Sequence, residues 1–114
     1  MIEIVQTEYQ VRYDETTATV SCEGSFRLNG EEYKPILELM LAAADAAPPL
    51  LTLNVRELQF LNSSGINTLS KFILHVRNKK VSQVVVHGST RFPWQEKSLI
   101  NLQRLLPSLK LEIT

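Results

Sequence analysis

Leu58-Gln59-Phe60-Leu61-Asn62-Ser63-Ser64-Gly65-Ile66 carries the chain from an apolar strand into a helix, and the reading of this corner decides the fold. Asn62, Ser63 and Ser64 are residue types whose side-chain oxygens satisfy the free N–H groups at a helix start. The helix is expected from about Ser63 or Ser64 to Asn78, with Arg77, Lys79 and Lys80 near its negative end. At about 100° per residue, Ile66, Leu69, Ile73 and Val76 form one stripe, with Phe72 at its margin, and this stripe is expected to face a core. Ser64, Asn67, Thr68, Lys71, His75 and Asn78 fall on the other side. They form a polar face that carries no acid of its own, with Leu74 as a partly exposed apolar contact at one side.

Working outward, Leu50 to Val55 and Gln83 to His87 are short, almost continuously apolar runs, expected as central strands covered on both faces. A loop through Arg56 and Glu57 is expected to link the first of them to the serine corner. Upstream, a strand of irregular alternation over Glu3–Tyr13, a polar turn at Asp14-Glu15-Thr16 and a strand over Thr17–Cys22 read as a β-hairpin. Glu23 to Gly30 reads as a connection carrying Phe26 and Leu28. A first helix starts near Gly30, or as late as Lys34, which would put Pro35 at the first helical position, and Pro48-Pro49 stops it. Beyond Gly88, Pro93 or Trp94 opens a third helix with Leu99, Leu102, Leu105 and Leu106 at core spacing. Leu109, Leu111 and Ile113 then alternate with charge in an edge strand. The expected architecture is a single α/β domain over residues 1–114. It has a mixed sheet, an N-terminal β-hairpin and the order β-β-α-β-α-β-α-β, with right-handed crossovers.

The chain has 114 residues and zero formal net charge, which argues against a general nucleic-acid binder. Cys22 is the single cysteine and falls on the inward parity of its strand, so it reads as a small buried hydrophobe. No run reaches the roughly 20 apolar residues of a membrane span, and the N-terminus lacks the pattern of a signal peptide. A cytoplasmic protein without membrane association is expected.

A helix start tolerates or welcomes a phosphate, which makes Ser64, with Ser63 as fallback, the candidate phosphorylation switch, although Ser-Ser-Gly alone reads as plain helix capping. Phosphate there adds about −1.5 to −2 charge inside any interface built on Asn62, Ser63, Ser64, Asn67, Thr68, Lys71, Leu74 and His75. A constitutive, never phosphorylated adaptor presenting the same face is the alternative. Catalysis is not expected. There is no Gly-rich phosphate loop, the two histidines are His75 and His87, and the carboxylates form no evident acid/base pair. No metal and no cofactor is expected. His87-Gly88-Ser89-Thr90, at a strand end where α/β sheets often hold ligands, is the one rival location. Trp94 reads as a lid on the core, and Arg77-Asn78-Lys79-Lys80 as charge complementing the helix dipole.

An aliphatic strand leading into Phe60-Leu61-Asn62-Ser63-Ser64-Gly65-Ile66-Asn67-Thr68-Leu69 resembles the signature of STAS domains of the anti-sigma-factor antagonist type. In particular it resembles the stand-alone regulators of bacterial partner-switching systems. The resemblance covers nearly the whole chain and is most specific between Leu50 and Val76. It implies a serine kinase of the histidine-kinase-like ATPase fold or an anti-sigma-type protein as partner, and a PP2C-type phosphatase for reset. It also implies that the residue before the glycine, Ser64, is the acceptor. Asn62 departs from the family's frequent aspartate, and Asn54 stands where many members have an acid. The chain is expected as a monomer or weak dimer.

Overall fold

Described over residues 2–114 in a computed structural model, the chain runs β1 (Ile2–Val5), β2 (Tyr9–Asp14), β3 (Thr19–Phe26), α1 (Lys34–Asp45), β4 (Leu50–Leu61), α2 (Ser63–Lys79), β5 (Gln83–Gly88), α3 (Pro93–Leu105) and β6 (Lys110–Ile113). A 3-10 turn, Gly30–Tyr33, leads into α1. The strands lie in one sheet in sequence order, with β1–β2–β3 antiparallel and β3 through β6 parallel. This is the expected mixed α/β domain, with one strand more. The stretch expected as a single irregular strand is two, because the chain turns back over Gln6-Thr7-Glu8, with Gln6 N–H donating to Tyr9 C=O at 2.9 Å. β3 also runs further than expected, so Phe26 belongs to a strand and is buried.

β4 corrects two expectations. It continues through Arg56 and Glu57, where a loop was expected, and reaches Leu61 as one strand. Its buried positions are Leu51, Leu53, Val55, Leu58 and Leu61, so the spacing of two becomes three at Arg56-Glu57 and again at Gln59-Phe60. The β3–β4 register shifts over the same stretch. Each extra residue turns the strand on its axis, as bulges do, and breaks the alternation that marks a strand in sequence.

The second correction concerns coverage. α1 packs on α2 and α2 on α3, and helices that touch one another lie on the same side of a sheet. The opposite face is left open. Thr52 and Asn54 of β4, and Val85 and His87 of β5, are half-buried, alternating with Leu51, Leu53, Val84 and Val86, which are buried beneath the helices. The domain therefore has two layers, with its core between the sheet and three helices.

Two side chains and one glycine fix this arrangement. Gln95, fully buried, donates from Nε2 to Val55 C=O at 2.7 Å and Leu58 C=O at 3.0 Å, and accepts Ser89 N–H at 2.7 Å. Trp94 Nε1–H donates to Gln59 C=O at 2.8 Å. Together they satisfy carbonyls of β4 where it runs past the end of β5, a role sequence inspection does not reveal for Gln95. At Gly24, φ is +90° and a Cβ would sit 2.2 Å from Glu8 C=O, so only glycine lets β2 and β3 approach there.

Candidate functional site

Asn62 holds the corner between β4 and α2. Its backbone is extended, and its Oδ1 accepts Gly65 N–H at 2.9 Å, the geometry of a helix N-cap. The same oxygen accepts the Tyr33 hydroxyl at 2.7 Å, while Nδ2 donates to Leu28 C=O at 2.7 Å. An amide meets all three partners; a carboxylate could not donate to Leu28. Asn62 is thus a structural tie between α2 and the segment entering α1. Gly65 makes room for that tie, because a Cβ there would lie 2.3 Å from Leu61 Cδ1 and 2.9 Å from the Tyr33 hydroxyl. Burial raises the Tyr33 phenol above its ordinary value of 10.0, which keeps the hydroxyl a donor.

Ser64 lies one residue into α2, half-buried, beside a groove of ≈ 350 Å³ between α2 and the start of α1. Asn67 and Lys71 line the groove from α2, and Lys34 and Leu37 line it from α1. Ser64 Oγ accepts Gly30 N–H at 3.4 Å, a long bond that leaves the hydroxyl proton free to donate elsewhere. Ser63 is exposed.

Not every residue expected on this face is presented by it. Thr68 is only 6% exposed, and its hydroxyl donates to Ser64 C=O at 3.0 Å, so it floors the groove. Phe72, expected at the margin of the inward stripe, is fully buried. The reason for both is that α2 meets α1, α3 and the 3-10 turn at once, which widens its buried side beyond one stripe. Leu74 and His75 are half-buried and lie further along the helix, outside the groove lining. His75 Nε2 meets Asp45 Oδ1 at 2.7 Å, and Lys79 Nζ reaches the same oxygen at 3.2 Å. These bonds hold the Asp45 carboxyl below its ordinary 3.8. The face is therefore bordered by acids supplied from neighbouring segments, Glu31 at the groove and Asp45 at the far end.

No family model matches this sequence, and no curated protein does. Solved structures are similar throughout. A chain of the Pseudomonas aeruginosa complex of the diguanylate cyclase SiaD with its activator SiaC matches with TM-score 0.73 and 16% identity, over 99% of this chain and 98% of that one. The fold is SiaC-like. Apo-SiaC from the same organism matches with TM-score 0.66 and 15% identity, over 100% of this chain and 99% of that one. A further SiaC structure matches with TM-score 0.63 and 15% identity, covering 99% and 94% of the two chains. Each of these matches takes in 99% or more of this chain.

The rival location at the end of β5 is already filled. Ser89 is buried, its N–H is given to Gln95, and its Oγ accepts Arg91 N–H at 3.1 Å. A Cβ on Gly88 would lie 2.8 Å from Gln95 Oε1. A second hollow, ≈ 380 Å³, lies on the open sheet face among Arg12, Asp14, Ser21, Glu23, Asn54 and Glu57. Arg12 there is bonded to Glu3 and Gln10. Two members of the basic run closing α2 are also engaged, since Arg77 donates to Leu105 C=O at 3.3 Å while Lys79 pairs with Asp45. Among the described residues no group of three or more His, Cys, Asp or Glu is placed to hold a metal ion, and no helix is long and apolar enough to cross a membrane. Tyr33, Lys34 and Gly30 are the site residues that sequence inspection missed. They lie about 30 positions from the corner in sequence, and no local pattern links them to it.

Proposed function

We propose that this protein is a phosphorylation-switched, protein-binding regulator of the anti-sigma-factor antagonist type, with Ser64 as the acceptor. The observation that carries the reading is the state of the Ser64 hydroxyl. It lies beside an open groove at a helix start, with only a long contact to Gly30 N–H among the described residues, while the polar groups of Asn62 are committed to holding the corner. Support for a protein partner comes from the SiaC-like fold, since SiaC is the activator of a diguanylate cyclase with which it forms a complex. The family resemblance of the serine corner names a serine kinase of the histidine-kinase-like ATPase fold, or an anti-sigma-type protein, as the partner here. It names a PP2C-type phosphatase for reset.

In this reading the chain is bound and modified but does not itself catalyse. Phosphorylation joins Ser64 Oγ to the γ-phosphorus of ATP as the bond to the ADP oxygen breaks, and the hydroxyl proton passes to a base on the kinase. Hydrolysis by the phosphatase restores the hydroxyl and releases inorganic phosphate. The added charge of about −1.5 to −2 stands within the binding face and changes which partner it accepts.

Phosphosite mapping by tandem mass spectrometry, on protein purified from its native cells, is the test. Phosphate on Ser64, absent from Ser64→Ala, is expected. Phosphate on Ser63 instead moves the switch to the neighbouring residue. No phosphate under several growth conditions, with Ser64→Ala and Ser64→Asp binding every partner like the parent, replaces the switch with the constitutive adaptor.

A further inference from the structure

Lys34 and Lys71 line the groove beside Ser64 from its two walls, and neither side chain forms an ion pair or hydrogen bond among the described residues. At the far end of α2, Lys79 is occupied by Asp45 and Arg77 by Leu105 C=O. Two unpaired cations facing a serine hydroxyl across one groove form an arrangement that an anion would complete. We propose that the groove is an internal receptor for the phosphate carried by Ser64, with Lys34 and Lys71 closing on it from α1 and α2. This inference rests on the reading of Ser64 as the acceptor.

The geometry allows both lysines to reach. Lys71 follows Ser64 by seven residues, two turns on the same face and about 10 Å along the axis. Side chains on a helix lean toward its N-terminus, so Lys71 extends back toward Ser64. Lys34 approaches from the opposite wall, where α1 begins, and Gly30 N–H already lies 3.4 Å from Ser64 Oγ. Charge points the same way. Lys34 and Lys71 against Glu31 leave the groove one positive charge, which a phosphate of about −1.5 to −2 inverts. Phosphorylation would then do two things at once: fill the groove, and tie the first turn of α1 to α2. Leu37, the apolar group on the α1 wall, would be covered in the process, and a partner using the groove would lose it.

The test uses protein carrying genetically encoded phosphoserine at position 64, so it does not depend on whether any kinase modifies the residue in cells. The second ionisation of the phosphate is followed by phosphorus NMR against pH, folded and in urea. Folding is expected to lower it by roughly half a unit or more, since cations near an anion favour its charged form. Lys34→Ala with Lys71→Ala is expected to remove most of that shift, and Lys34→Arg with Lys71→Arg to keep it. Both lysines are exposed, so the variants fold, which circular dichroism of the unphosphorylated proteins checks. An unchanged titration in the double alanine variant overturns the receptor. Its failure leaves phosphosite mapping untouched, because that measurement asks only whether Ser64 is modified.

Discussion

The Tyr33 hydroxyl donates to Asn62 Oδ1 at 2.7 Å across 29 positions of sequence, and this bond ties the start of α1 to the start of α2. The groove beside Ser64 exists because the two helix starts are held in this relation. Asn62→Ala removes the cap on Gly65 N–H, the acceptor for Tyr33 and the donor to Leu28, and is expected to cost about 2–4 kcal/mol. Asn62→Asp keeps both acceptor bonds but sets a carboxylate oxygen against Leu28 C=O, a clash that the charge at the helix start partly offsets, so its cost is expected at about 1–2 kcal/mol. Urea unfolding of the three proteins checks the order. Equal stability of Asn62→Ala and the parent would remove the tie.

Gly65→Ala improves helix propensity in most settings, yet here it is expected to destabilise by about 1–2 kcal/mol. The added Cβ displaces Leu61 and the Tyr33 hydroxyl together. The loss is expected to shrink in a Tyr33→Phe background, where the hydroxyl is gone, and a double-mutant cycle measures that coupling.

Gln95 satisfies two carbonyls of the bulged β4 and one N–H beyond β5 with a single buried amide. Gln95→Ala leaves all three unpaired and opens a cavity, for an expected loss of about 3 kcal/mol. Gln95→Glu fits the space but brings an acceptor against two carbonyls, so it is expected to be no better. Denaturant midpoints decide it, and a loss under about 1 kcal/mol would mean that water replaces the amide.

Burial of Cys22 against the core pushes its thiol up to about 12, so the reactive thiolate is scarce at neutral pH. Native protein is expected to resist a thiol reagent such as DTNB, and protein unfolded in urea to react at once. Rapid labelling of the native state would place Cys22 at the surface.

Asp45 gives a pH dependence of known sign. Its carboxyl lies below 3.8 in the folded state, through its hydrogen bonds to His75 first and Lys79 second. The stabilisation is present above the unfolded value of 3.8 and is lost as pH falls through the lower folded value. The stability gap between the parent and Asp45→Asn is therefore expected to close below about pH 4. A gap independent of pH between 7 and 3 would show that the contacts are not formed in solution.

The sequence by itself determined the order of elements, the start of α2 at Asn62-Ser63-Ser64, the inward stripe and the burial of Cys22. These follow from the spacing of neighbouring residues, and a helix or strand is a property of neighbours. The path of β4 was hidden because its bulges destroy the alternation at Arg56-Glu57 and Gln59-Phe60. The open sheet face was hidden because Val84-Val85-Val86 suits a strand equally well on either side, β-branched side chains packing on any pleated surface. Which face is covered depends on where the crossover helices go. Thr68 in the groove floor, Tyr33 against Asn62 and Lys34 opposite Lys71 were decided only by tertiary structure. Each pairs groups on different elements, and their meeting depends on how α1 packs against α2 rather than on any local spacing.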